Sequence, residues 1–279
     1  VSSDHTDFLD ALFTATSATC VTGLVVYDTA THWTLFGQIV ILLLIQIGGL
    51  GFITIGVFLA TYLKKKISLR QRGLIEESVN SLKLAGGVKL VKHIIKGTFL
   101  FEGIGAIILS LVFIEDFGLL KGIYLGIFHA ISAFCNAGFA LFSNNLEGYQ
   151  SSLLINLCVT SLIILGGLGF AAIIDIYNVF KGVRRKISNS THIAINMTII
   201  LIILGTVLTF VLEYSNSLTL GSLSLKNKIL ASYFQSITLR TAGFQTPGPP
   251  YICKRRSCSD RCRISSPGQW RDIRSCVLL

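Results

Sequence analysis

Four apolar runs set the terms for this chain: roughly Leu35 to Leu63, His93 to Ile114, Leu153 to Phe180 and Ile193 to Leu212. An apolar stretch longer than about 18 residues is a candidate to cross a bilayer. The alternative is one large core buried in a soluble protein, which needs a large polar shell to cover four such runs. The chain lacks that material: 52% of its residues are hydrophobic and 14% are charged, where a soluble domain carries about a quarter charged. An all-α polytopic membrane protein is the expected class.

The net charge of +10 could point to nucleic acid, but its distribution argues against that partner. Lys64 to Lys96 holds nine Lys or Arg and two acids, and Lys181 to Lys186 adds Lys181, Arg184, Arg185 and Lys186. Two spans separate these segments, so they fall on one side, which the positive-inside rule makes cytoplasmic. Asp4, Asp7, Asp10, Asp28, Glu115, Asp116, Glu147 and Glu213 collect on the other. Val1 opens a polar, acidic stretch without a basic n-region, so no secretory signal is expected there.

A long repeat runs through the chain. "FTATSATCVTGL" (Phe13 to Leu24), "FHAISAFCNAGF" (Phe128 to Phe139) and "YFQSITLRTAGF" (Tyr233 to Phe244) each place an aromatic residue ten positions before a glycine. The glycines are Gly23, Gly138 and Gly243. "IGGLGF" (Ile47 to Phe52) follows the first and "LGGLGF" (Leu165 to Phe170) the second; "KKKIS" and "RRKIS" come next. The unit is apolar span, short helix, glycine loop, apolar span, basic segment, recurring about every 105 to 118 residues.

The short helices are expected over Asp7 to Thr19, Gly122 to Phe134 and Ser224 to Leu239. They reach about 20 to 24 Å, less than the hydrocarbon thickness. The basic segments share a side only if the intervening short helix does not cross. It therefore enters from outside and its loop returns outside, which is the geometry of a pore loop.

Non-helical backbone survives at membrane depth only where it lines protein or water. Such a loop can turn carbonyls inward and replace the hydration shell of a cation. Glycine reaches the dihedrals this requires, and the negative end of the preceding helix favours a cation. The three loops carry no carboxylate ring, which suits a monovalent ion better than Mg²⁺ or Ca²⁺.

These stretches, with the "GGLGF" segments, resemble the Ktr/Trk/HKT superfamily of potassium transporters, and within it the bacterial Ktr-type membrane subunit. The resemblance covers about Val1 to Thr246. It implies repeated M1–pore helix–M2 units, four to a pore. Residues 1–68 would be the pore loop and second span of the first unit, 69–188 a cytoplasmic link and the complete second unit, and 189–246 the first span and pore loop of the third. It implies that Gly23, Gly138 and Gly243 are selectivity-filter glycines, with filter backbone from Cys20, Val21, Thr22, Asn136, Ala137, Thr241 and Ala242. The function implied is potassium uptake across the plasma membrane, with no cofactor beyond the transported K⁺ ion. The partners implied are a second copy of the chain, membrane lipid and a cytosolic nucleotide-binding regulatory subunit. Sodium transport in the same fold is one alternative. Another is a truncated fragment that inserts but cannot close a pore.

Residues 247–279 depart from this pattern. They hold four of the seven Cys, all four Pro and seven Lys or Arg, with no apolar span. The expectation is an atypical, out-of-frame tail. Cys253, Cys258, Cys262 and Cys276 lack a CxxC pair and a His, which argues against zinc. Cys20, Cys135 and Cys158 are expected as free thiols.

Glu102 lies mid-span, where a carboxylate either marks function or bonds a neighbouring helix. Asp175 is expected as a packing or interfacial group. Arg240, three residues before Gly243, is expected to brace the loop by bonding carbonyls or outer acids, with a limit on ion occupancy as the alternative. "GGLGF" follows no strand and lacks the Lys-Ser/Thr of a phosphate loop; close packing of small residues is expected instead. No Ser-His-Asp or Cys-His constellation is visible, and an enzyme is not expected.

Overall fold

The computed structural model describes residues 6–51, 87–182, 186–214, 220, 223–240 and 242–244. Within them the regular structure is helical. In chain order the helices are α1 (Phe8–Thr19), α2 (Leu35–Leu50), α3 (Gly87–Phe117), α4 (Leu119–Phe134), α5 (Leu153–Leu168), α6 (Phe170–Phe180), α7 (Asn189–Glu213) and α8 (Leu225–Thr238), with a 3₁₀ turn at Glu147–Tyr149. The basic run from Lys64 to Lys83, Arg184, Arg185, Thr241 and the tail at 247–279 lie outside the described residues.

Among the described residues two helices are each long and apolar enough to cross a membrane: His93–Phe117 within α3, and α7, each 25 residues with mean hydropathy 2.1 and 2.5. At 1.5 Å per residue each reaches about 37 Å, enough for the hydrocarbon core. A helix satisfies all its backbone groups internally, which is what lipid demands. Only 6% of the α7 span is buried; Ile193, Ile200, Leu204 and Leu208 are exposed along it. Ser188, the last residue of "RRKIS", caps α7 by accepting the Thr191 N–H at 3.4 Å, and its own N–H goes to Asp175 Oδ2 at 2.7 Å. Asp175 is therefore a buried local brace joining α6 to the start of α7.

The short helices α1, α4 and α8 lie where the repeat places them. The expectation of unbroken spans from Leu35 to Leu63 and from Leu153 to Phe180 is corrected. α2 stops at Leu50, and residues 52–63 lie outside the described part. α5 stops at Leu168, and the chain turns by 99° into the helix that follows. Both stops fall on the fourth glycine-motif residue: Gly51 at φ 80°, ψ 137° and Gly169 at φ 80°, ψ 150°. A side chain is excluded from that backbone region, so the "GGLGF" motif carries a built-in break.

α4 is central. It packs along α3 and touches α2 and α5, while α8 packs on α7 and α5, and α1 on α2. Phe113, Phe128, Phe139, Phe234 and Phe244 are fully buried in the resulting core. The first glycine of each copy of the motif allows this closeness. A methyl group on Gly48 would overlap the Thr19 carbonyl at the end of α1, and one on Gly166 would overlap the Phe134 carbonyl at the end of α4. Small-residue packing thus holds as expected, directed at the ends of the short helices.

Candidate functional site

Each short helix ends in a defined turn. After α1, the Val21 N–H bonds the Ala18 carbonyl at 3.3 Å and the Thr22 N–H bonds the Ser17 carbonyl at 3.0 Å; after α4, Asn136 bonds Ala133 at 3.1 Å and Ala137 bonds Ser132 at 2.8 Å. This pair of bonds is the Schellman closure, whose pivot residue sits in the left-handed region. Here the pivots are Val21 (φ 56°) and Asn136 (φ 57°), not glycine. Asparagine tolerates this conformation, whereas for β-branched valine it is an outlier. The turn after α8 closes differently, with Arg240 N–H to Ile237 at 3.0 Å and Ala242 N–H to Thr238 at 3.0 Å.

Two residues beyond each of the first two pivots the chain reaches Gly23 and Gly138, and the third loop reaches Gly243, at φ 74°, 69° and 73°. The three glycines approach one another in series, with Gly138 in the middle. A Cβ placed on Gly23 would stand 2.7 Å from the Ala137 carbonyl oxygen and 3.5 Å from Gly138 Cα. One placed on Gly138 would stand 2.7 Å from the Ala242 carbonyl oxygen and 2.9 Å from Gly243 Cα. So the carbonyl preceding one glycine abuts the glycine of the loop before it, and any side chain would collide. Ala137, Gly138 and Ala242 are buried, whereas Gly243, Cys20 and Thr22 at the two ends of the series are exposed. The sequence-selected residues Gly23, Ala137, Gly138, Ala242 and Gly243 therefore converge.

The helices hold the loops from behind. Ser132 Oγ donates to the Phe139 carbonyl at 2.7 Å and Thr238 Oγ1 to the Phe244 carbonyl at 2.6 Å, while Ser17 and Thr22 share a hydroxyl–hydroxyl bond of 2.9 Å. Beyond the second loop, burial holds the Tyr149 phenol above its ordinary range, reinforced by the Asp116 carboxylate that accepts its bond at 2.7 Å.

Glu102 is buried beside the end of α4. It accepts from Gln46 Nε2 at 3.0 and 3.3 Å, and Cys135 Sγ lies 3.9 Å away. Next to it a cavity of about 50 Å³ is lined by Gly49, Thr98, Cys135, Asn136, Gly166 and Phe170, among others. Thr98 Oγ1 and Asn136 Oδ1 there have no hydrogen-bond partner, and the space is polar enough for water. Arg240 is tied to a neighbouring helix. Its Nη2 donates to the Thr198 hydroxyl on α7 at 3.2 Å, a neutral partner on a neighbouring helix. Cys20, Cys135 and Cys158 are free thiols, as expected. Among the described residues no group of three or more His, Cys, Asp or Glu could hold a metal.

Gln46, Ser132, Thr238 and His129 were not singled out from the sequence. The available signal was a polar side chain on an otherwise apolar helix, which must find a partner when buried.

Comparison with known proteins gives a family match over residues 1–247 to TrkH, described as a cation transport protein. The chain is 46% identical over 240 residues to Ktr system potassium uptake protein B of Bacillus subtilis, covering 86% of this chain and 53% of that protein. It is 43% identical over 243 residues to potassium/sodium uptake protein NtpJ of Enterococcus hirae, covering 87% and 53%. It is 40% identical over 237 residues to Ktr system potassium uptake protein B of Vibrio alginolyticus, covering 85% and 52%. The chain thus spans about half the length of these relatives.

Proposed function

Because the chain belongs to the TrkH family of cation transport proteins, we propose that it supplies three walls of a potassium-selective pore. The chain is a Ktr-type membrane subunit, and its place is the plasma membrane. In this reading the walls are 1–68, a short helix and glycine loop with the span that follows, 69–188, a short helix and loop between two spans, and 189–246, a span with the short helix and loop that follow. The fourth wall comes from sequence that the relatives have and these residues do not cover. Carbonyls of Cys20 to Thr22, Asn136 and Ala137, and Thr241 and Ala242, together with the glycines, replace water around a dehydrated K⁺. No covalent step is involved. The glycines are needed because the loops approach too closely for any Cβ.

The observation that carries this reading is the contact of Gly138 with Gly23 on one side and Gly243 on the other, in the three loops that follow the C-termini of α1, α4 and α8. Helix C-termini favour a cation. The test is Gly138→Ser in cells expressing the full gene product, with K⁺ and Na⁺ uptake measured together. Discrimination between the two ions is expected to collapse. An unchanged ratio in protein that reaches the membrane would remove Gly138 from ion selection.

The potassium/sodium uptake protein among the relatives supports a second reading, in which sodium passes through the same loops; the same measurement separates the two. By likeness to Ktr systems, the partners in this proposal are a second copy and a cytosolic nucleotide-binding regulatory subunit facing the basic segments.

A further inference from the structure

His129 on α4 has no exposed surface. Its Nε2 lies 3.3 Å from the Leu141 backbone nitrogen, which carries a hydrogen and must donate. Nε2 is therefore the acceptor, and the ring hydrogen sits on Nδ1, which donates to the Leu125 carbonyl at 2.8 Å. One neutral tautomer satisfies both bonds. Three residues on, Ser132 Oγ donates to the Phe139 carbonyl at 2.7 Å. Positions three apart share a helix face, so α4 grips the segment just after Gly138 at two points, one accepting and one donating. The ring also stacks on Phe142, at 4.7 Å and 21°.

The three repeats differ at this position. Nine residues before each glycine stand Thr14, His129 and Phe234, all buried. Phe234 fills the site with carbon alone, so the fold does not need an imidazole there. Thr14 spends its hydroxyl on the Asp10 carbonyl, one turn back in its own helix. Among the described residues the ring clamp belongs to the second loop, the one whose glycine lies between the other two.

We propose that His129 is a positioning residue for ion selection. Acting with Ser132 on Phe139 to Leu141, it fixes where the Ala137 carbonyl and Gly138 meet the neighbouring loops. The inference rests on the filter reading of Gly138. The experiment compares His129→Phe, His129→Gln, Ser132→Ala and Gly138→Ser in the full gene product, reading K⁺ and Na⁺ uptake at matched membrane abundance. His129→Phe reproduces the residue of the third repeat but strands the Leu141 N–H. It is expected to lower K⁺-over-Na⁺ discrimination about tenfold, the factor of one lost buried hydrogen bond. His129→Gln keeps an acceptor and is expected to retain most of the discrimination, and Ser132→Ala to shift it in the same direction by less. Parental discrimination in His129→Phe overturns the proposal, as does equal loss in the Phe and Gln variants. If His129→Phe does not accumulate, unchanged discrimination in Ser132→Ala overturns it. A silent Gly138→Ser would instead fell the filter reading.

Discussion

Gln46 on α2 donates its amide to both carboxylate oxygens of Glu102 on α3, at 3.0 and 3.3 Å. The bond ties α2 to α3, beside the end of α4. Glu102→Leu would leave the Gln46 amide buried without an acceptor, at a cost on the order of 1–3 kcal/mol. Glu102→Gln can still accept. The melting temperature of the purified protein in detergent is expected to fall for the leucine variant and to move little for the glutamine variant. Equal melting of the two would show that the pair adds nothing to stability.

The glycine motif makes a sharper contrast within two neighbouring residues. A methyl at Gly166 would overlap the Phe134 carbonyl, whereas one at Gly167 finds only Asn136 Nδ2, at 3.5 Å. Gly166→Ala is expected to abolish monodisperse protein on size-exclusion chromatography. Gly167→Ala should elute as the parent does. Normal elution of both variants would mean that α5 is free to move away from α4.

Left-handed pivots are the subject of a third experiment. Asn136 sits at φ 57°, a conformation that strains a β-branched residue by about 1–3 kcal/mol. Asn136→Val should therefore lower thermal stability. Asn136→Gly should match the parent or exceed it, since it also removes a buried, unpartnered Oδ1. A valine variant as stable as the glycine variant would contradict the assigned turn.

Sidedness can be read by labelling. With native cysteines removed, a cysteine replacing Glu147 should react with an impermeant maleimide in intact cells. A cysteine replacing Lys181 should react only after permeabilisation. Labelling of both in intact cells would place the two positions on one side, against the charge asymmetry.

Much of the fold was legible because it is periodic at two scales. Apolar runs announced helices, and the recurrence of the glycine stretches placed three short helices within a few residues of their bounds. The break at Gly51 and Gly169 was hidden, because an apolar run looks the same whether the helix through it continues or turns. The loop residues were legible through Gly23, Gly138 and Gly243, since only glycine tolerates such proximity. The polar supports were not. His129 and Gln46 act through partners twelve and fifty-six residues away, and no spacing rule in a single sequence connects them. The bond from Arg240 to Thr198, forty-two residues back on α7, was hidden for the same reason.

The pressing of Gly48 on Thr19 and of Gly166 on Phe134 also bears on the order of assembly. These contacts join residues close in the chain, whereas Gly23 and Gly138 belong to different repeats. Short loops close at less entropic cost than long ones, and a membrane chain emerges from its N-terminal end. Each short helix can therefore dock on its own following helix as soon as both have been made. The glycines meet only once several such modules stand side by side. Damage at Gly48 or Gly166 would then halt one module during synthesis. Damage at a loop glycine would let every module form and would surface only when they come together.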